Sequence, residues 1–150
     1  MLKSHEQLDR RFETLRPLAG ASKPARGWIK AIREALGMTT AQLGERMGVK
    51  QPRIAELETN ETKGNITLKS LERAAEAMGC RVVYMLVPVE PLGNTLRARA
   101  AKVAEQQLNA TDQTMKLEDQ GVQNSVQRAR LREQIIGQLL ERPARLWDTK

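Results

Sequence analysis

Apolar residues recur at three- and four-residue intervals along most of this chain, and the interruptions mark its organisation. Leu8, Phe12 and Leu15 predict a short basic helix over 1–18. Pro17 to Gly27, with Gly20, Ser22 and Pro24, reads as a linker carrying Lys23 and Arg26. Trp28, Ile29, Ile32, Ala35 and Leu36 predict a helix that Gly37 ends. Thr39 suits the N-cap of the next helix, whose buried side holds Leu43 and Met47. Gly48 follows its last residue, where a left-handed backbone is needed and glycine adopts it freely. Val49 to Glu58 predicts another short helix with Ile54 and Leu57 inward, and Asn60 to Ile66 a polar loop. Thr67 caps a further helix in which Leu68, Leu71, Ala75 and Met78 face the core and Gly79 terminates.

The period then changes. Val82, Val83, Tyr84, Met85, Leu86 and Val87 form a continuous apolar run rich in β-branched residues and stopped by Pro88, the pattern of a buried strand. No second run of this kind exists in the chain, and a lone strand leaves its backbone groups unsatisfied. Its natural partner is the same run of a second copy, which predicts a homodimer. The alternative is an extended segment packed on the helices. Beyond Pro91 the helical period returns, with Leu92, Leu96, Ala100 and Val103 in one stripe. Val122, Val126, Leu131, Ile135, Leu139 and Leu140 form another, punctuated by Gly121 and Pro143.

The segment from Thr40 onward meets the demands of a helix-turn-helix. Two helices crossing steeply around a three-residue turn need apolar residues at Leu43 and Met47 and a small one at Gly44, where they touch. The turn needs Gly48, and Val49, Ile54 and Leu57 clamp the second helix. The start of such a second helix enters the major groove of duplex DNA. Its outward residues are Lys50, Gln51, Pro52, Arg53 and Glu56. Gln suits adenine, Arg suits guanine or a phosphate, and Glu accepts from cytosine N4. Pro52 in the first turn costs no helical hydrogen bond and suits contact with a thymine methyl. Thr39, Thr40, Gln42 and Lys50 lie near the two helix starts and suit phosphate anchoring. Asn60, Lys63 and Asn65 in the following loop are further backbone candidates. For each polar residue the alternative is an ordinary solvated helix face.

Composition narrows the partner. A formal charge of +7 favours a polyanion, and a solvated basic surface is the plain alternative. Phe12, Trp28, Tyr84 and Trp147 are too few to form the stacking platforms of single-strand binders. With one cysteine, Cys80, and one histidine, His5, no Cys/His metal site or disulfide framework assembles within the chain. Cys80 reads as a buried structural thiol and His5 as a bystander. No catalytic residues, metal or cofactor are expected. No membrane-spanning run or signal peptide is apparent, so a cytoplasmic protein is expected.

From Met38-Thr39 through Leu43-Gly44 and Gly48-Val49 to Leu57-Glu58 the chain resembles the Cro/C1 (XRE) helix-turn-helix family. It departs from that family at Thr40, often a phosphate-binding glutamine, and at Lys50, often a serine or threonine cap. Over nearly the whole length it resembles the bacterial family called mobile mystery protein A. The strings carrying this are Gly27 to Met38, Ile66-Thr67-Leu68, Val83 to Pro88, Met115 to Gln120 and Pro143 to Asp148. That resemblance implies an antitoxin-like autorepressor encoded beside a Fic-domain protein, a candidate toxin partner. Fic antitoxins can carry Ser/Thr-x-x-x-Glu-Gly/Asn; Thr114 to Glu118 fits its first part, but Asp119 departs, and a helix junction is the plainer reading.

The expected fold is mainly α: a five-helix Cro/C1-like core with one strand pairing across a dimer, plus N- and C-terminal helices. Its parts are a basic helix and linker over 1–26, a DNA-binding domain over 27–79, a dimerisation strand over 80–90 and a helical extension over 91–150. The expected function is sequence-specific repression by a homodimer on a palindromic operator, with recognition helices ~34 Å apart. The competing function is toxin neutralisation through residues 92–150, unless those helices pack on the DNA-binding domain or extend the dimer interface. Arg10, Arg11, Arg16, Lys23 and Arg26 either reach along the DNA or belong to a solvated or partner-packing helix.

Overall fold

A computed structural model describes residues 3–116 and 125–148. Seven α-helices follow in order: α1 (Ser4–Leu15), α2 (Trp28–Ala35), α3 (Thr40–Met47), α4 (Gln51–Lys63), α5 (Leu68–Ala77), α6 (Leu92–Lys116) and α7 (Ser125–Glu141). Short 3-10 turns occupy Arg16–Gly20 and Pro143–Trp147. The chain divides into two compact units, one spanning Gly20–Leu86 and the other formed by Met1–Ala19 with Val87–Lys150.

In the 20–86 unit the periodic residues converge as their spacing requires. Ile29 from α2, Leu43 from α3, Ile54 and Leu57 from α4, and Ala74 and Met78 from the α5 end form one buried cluster. Ile32, Met38, Met47, Val49, Ile66 and Leu71 pack against it. The helix starts are set by side chains: the Thr67 hydroxyl accepts from Ser70 N–H, and Thr39 and Gln42 form a reciprocal capping box at α3.

Four expectations are corrected here. The unit contains four α-helices, not five. Helix α4 does not end at Glu58 but continues to Lys63, so Asn60 and Lys63 lie on its last turns rather than in a loop. The reason is that Glu58 and Glu61 point inward and are satisfied there, which a hydropathy pattern reads as a polar break. Finally, no strand is present among the described residues, and the run 82–87 has no regular secondary structure, with 83–86 exposed rather than buried. Val83 is 75% exposed, Tyr84 68% and Leu86 88%. Cys80 is exposed as well, not a buried thiol.

In the other unit α6 and α7 form an antiparallel pair. Arg97 meets Glu133 at 2.7 Å, while further along α6 Glu105 meets Arg128, which is earlier in α7, also at 2.7 Å. Ala100 and Ala104, one turn apart on α6, are fully buried and let the backbones approach; Val103, Ile136 and Leu146 complete the cluster. Leu96, Ile135, Leu139 and Leu140 pack against it, whereas Val126 and Leu131 stay exposed. Arg99 Nε donates to the Leu146 carbonyl at 2.8 Å and its guanidinium lies over the Trp147 ring. Asp9 of α1 caps α6, accepting from the Leu92 and Gly93 N–H groups at 2.6 and 2.9 Å. Val122, Gly121 and the Glu118–Asp119 part of the Fic-like motif lie outside the described residues.

Two carboxyls in this unit are held below their ordinary values. The backbone bonds from Gly93 and Leu92 lower Asp9, and the hydrogen bond and charge of Arg128 lower Glu105. A lowered carboxyl stabilises the fold above its unfolded value and loses that contribution as pH falls through its folded value. Melting of the full chain, followed by circular dichroism, is therefore expected to fall with acid below about pH 4.5, the ordinary Glu value. Asp9→Asn with Glu105→Gln should flatten that acid limb; an unchanged limb would show that neither carboxyl is linked to folding.

Candidate nucleic-acid interface

The geometry of this site begins at one contact between backbones. A Cβ on Gly44 would stand 2.7 Å from the Val49 carbonyl oxygen, closer than side-chain carbons approach, so α3 passes the turn at glycine distance. Val49 N–H donates to the Gly44 carbonyl at 2.8 Å, and Gly48 closes α3 in the left-handed region at φ 69°. Lys50 is extended and starts α4 without a side-chain cap, and Pro52 occupies its first turn.

The crossing presents the start of α4 outward. Lys50, Gln51, Pro52, Arg53 and Glu56 are all exposed. Gln51 Nε2 donates to Thr40 Oγ1 at 2.9 Å, tying the first residue of α4 to the first of α3. Arg53 Nη1 donates to Glu56 Oε2 at 2.7 Å, one turn along the same helix. Pro52, Glu56, Thr59 and Lys63 share one helical face, with Lys63 about 16 Å beyond Pro52. Asn60 is half-buried on the adjoining face.

Thr39 and Gln42 are already engaged with each other. Thr39 N–H donates to Gln42 Oε1 at 2.8 Å, and Gln42 N–H donates to the Thr39 hydroxyl at 3.1 Å. This capping leaves the Gln42 amide N–H₂ and the first amide N–H groups of α3 available to an anion, with the positive end of the helix dipole behind them.

The inner face of α4 holds residues that periodicity does not single out. Glu58 and Glu61 are buried, and α2 supplies the partners of both. Arg33 Nε donates to Glu58 Oε1 at 2.6 Å, and its Nη1 donates to the Met38 carbonyl at 2.8 Å. The hydrogen bond to Glu58 raises the Arg33 guanidinium above its already high ordinary value. The Glu61 carboxylate receives the Trp28 and Ile29 N–H groups at 2.7 and 2.9 Å, so a residue of α4 caps the N-terminus of α2. Gly27 makes room for it, since a Cβ there would lie 2.8 Å from Glu61 Oε2. Lys23 in the linker donates to the Glu61 carbonyl at 3.0 Å. The available signal was the helical spacing of Ile54, Leu57, Glu58 and Glu61, which puts two acids on the apolar stripe.

Residues 29–85 match a family model described as Helix-turn-helix, the DNA-binding element of XRE-type regulators. No curated protein and no solved structure matches the chain. Among the described residues no helix is long and apolar enough to cross a membrane.

The buried pair gives a sharp test of how α4 is held. Arg33→Met leaves Glu58 buried without its partner and is expected to cost about 3–5 kcal/mol. Arg33→Met with Glu58→Met, an apolar pair of similar volume, should recover most of that cost. Urea unfolding followed by Trp28 emission in a Trp147→Phe background reads both; purely additive losses would contradict the pairing.

Proposed function

We propose that the chain is a sequence-specific transcriptional repressor that reads duplex DNA with the start of α4, acting as a homodimer on a palindromic operator in its own promoter. The observation that carries this reading is the exposed, pre-positioned set Gln51, Arg53 and Glu56 at the start of α4. A glycine-tight crossing mounts that helix start on α3.

The hydrogen-bond inventory of Gln51 fits adenine recognition. Its amide nitrogen has two hydrogens. One is held by Thr40, which leaves the other for adenine N7 and Oε1 for the adenine N6 amino group. The amide thus enters the groove with its plane already set, and little rotamer entropy remains to be lost on binding. Arg53 gives one N–H to Glu56, and the rest of its fork suits guanine O6 and N7 or a phosphate. Glu56 keeps Oε1 for a cytosine amino group while neutralising part of the Arg53 charge. Around these readers, the α3 N-terminal amides, Gln42, Thr39, Thr40 and Lys50 anchor phosphates, and Lys63 and Asn60 reach backbone further along α4. Such contacts set register and carry the salt dependence.

Binding to the fragment upstream of the protein's own coding sequence, against a scrambled duplex, tests this reading by fluorescence anisotropy. Gln51→Ala with Arg53→Ala should bring affinity for the operator down by about 100-fold or more, toward the scrambled value. Lys50→Ala should weaken both duplexes alike and reduce the salt slope by about one. Undiminished discrimination in the double variant would remove α4 from the reading role.

A second reading, in which the C-terminal helices also neutralise a toxin such as a Fic-domain protein, is favoured by the exposed Leu131 and Trp147. Both roles fit one antitoxin-like autoregulator. Leu131→Glu with Trp147→Ala should abolish co-purification with the product of the neighbouring gene while operator affinity is unchanged; retained co-purification would place the docking elsewhere.

A further inference from the structure

The strongest unexplained feature of the 20–86 unit lies at its C-terminal end. Cys80 N–H still donates to the Ala75 carbonyl, closing helix α5. From Arg81 through Val87 no backbone group bonds within the chain among the described residues, and Pro88 has no N–H to offer. Within this free window Val83, Tyr84, Met85 and Leu86 are exposed, Val83 75%, Tyr84 68% and Leu86 88%, while Val82 and Val87 are half-buried. Beside it lies an apolar groove of about 310 Å³ between α2 and α5, lined by Trp28, Ile32, Leu71 and Met78 and by Val82 and Val83 of the run itself.

We propose that this surface is a seat for a second copy of the chain: the two runs pair antiparallel across a two-fold axis at Tyr84, and each groove takes Leu86 of the other copy. The proposal rests on the homodimer reading above and adds its location and register. Three observations select a second copy as the occupant. The run carries a row of unpaired donors and acceptors, which an identical extended run satisfies residue for residue. The same patch offers both protruding apolar residues and a receiving groove, so it is complementary to itself, as a two-fold interface requires. The window is bounded at one end by the Cys80 helix bond and at the other by Pro88, and its midpoint is Tyr84. Pairing about that point forms the longest ladder the free groups allow. It sets Val83 against Met85 and Val82 against Leu86, cross-strand apolar pairs on both faces. Because the half-buried Val82 lines the groove, the Leu86 brought opposite it on the same face arrives beside Trp28 and Leu71.

Register makes the proposal testable in the full chain. In a Cys80→Ser background, Tyr84→Cys puts two thiols directly opposite each other, with Cβ atoms about 4.5–5.5 Å apart. Val83→Cys puts them on a diagonal of about 7–8 Å, past easy disulfide reach. Under mild oxidation at micromolar protein, Tyr84→Cys should form covalent dimer at least about tenfold faster than Val83→Cys. Sedimentation of the reduced proteins reads the mass independently. Leu86→Lys should sediment as a monomer that keeps the helical circular-dichroism spectrum of the chain, since Leu86 is 88% exposed within one copy. A dimeric mass with no preference for Tyr84→Cys, or a dimeric Leu86→Lys, overturns this interface and leaves the homodimer standing elsewhere. A monomeric parent overturns both, and operator affinity measured on the same sample reports separately on α4.

Discussion

In the proposed reading helix α4 turns one side to a polyanion; its other side carries two buried carboxylates, and the way those acids are neutralised organises the 20–86 unit. An unpaired carboxylate at the depth of Glu58 or Glu61 would lose several kcal/mol to desolvation. Helix α2 answers both: Arg33 forks onto Glu58, and the amides at its own N-terminus converge on Glu61. The two bonds lie about one turn apart on α4, so they fix its roll as well as its position. A helix held merely by Ile54 and Leu57 has a slippery apolar contact. Adding directional bonds at Glu58 and Glu61 makes the outward direction of Gln51, Arg53 and Glu56 a consequence of buried chemistry. It also places two of the acids of α4, Glu58 and Glu61, on the side away from the proposed phosphates.

The second constraint acts across the turn. Gly44 allows the Val49 carbonyl to come within a distance that a Cβ forbids, and Gly48 supplies the left-handed residue that turns the chain toward it. Gln51 then reaches back to Thr40. Backbone approach, turn geometry and one side-chain bond therefore set the same angle between α3 and α4. Base readout depends on that angle, because a bidentate amide misplaced by an ångström makes one bond instead of two. On the proposed reading, the formal charge of +7 favours DNA without regard to sequence, so discrimination rests on this rigid element.

Much of this was legible beforehand, and the reasons are particular. Leu43, Gly44, Gly48, Val49, Ile54 and Leu57 each answer a local steric or packing demand, and local demands leave residue-level marks. The far end of α4 did not, because Asn60 to Lys63 reads as polar loop until the partners on α2 are known. The positions of Arg33 and Glu61 depend on contacts more than twenty residues away in sequence, and hydropathy carries no record of them. Thr39 and Gln42 were located correctly at the α3 start, but their mutual capping changes which of their groups remain for a phosphate. The run 82–87 was legible as apolar, but not as an exposed segment without regular structure. Its lack of a partner follows from its being the one such run in the chain.

An exposed apolar edge normally invites open-ended association, and the pairing proposed for this one closes. A free edge of many residues can slip in register and recruit further strands. Here the α5 cap consumes the Cys80 donor, and Pro88 ends the row before a longer ladder can form. Arg81 and Glu90 flank the apolar stretch with charge, as gatekeepers flank hydrophobic strands that cannot be avoided. Seven residues between two such stops admit one well-filled antiparallel register, and a two-fold pair in that register consumes the free edge on both copies. Operator recognition by paired half-sites needs a dimer of that closed kind, because an open chain of subunits has no fixed separation between its recognition helices. The stops on either side of Tyr84 therefore matter to DNA reading as much as the apolar residues between them.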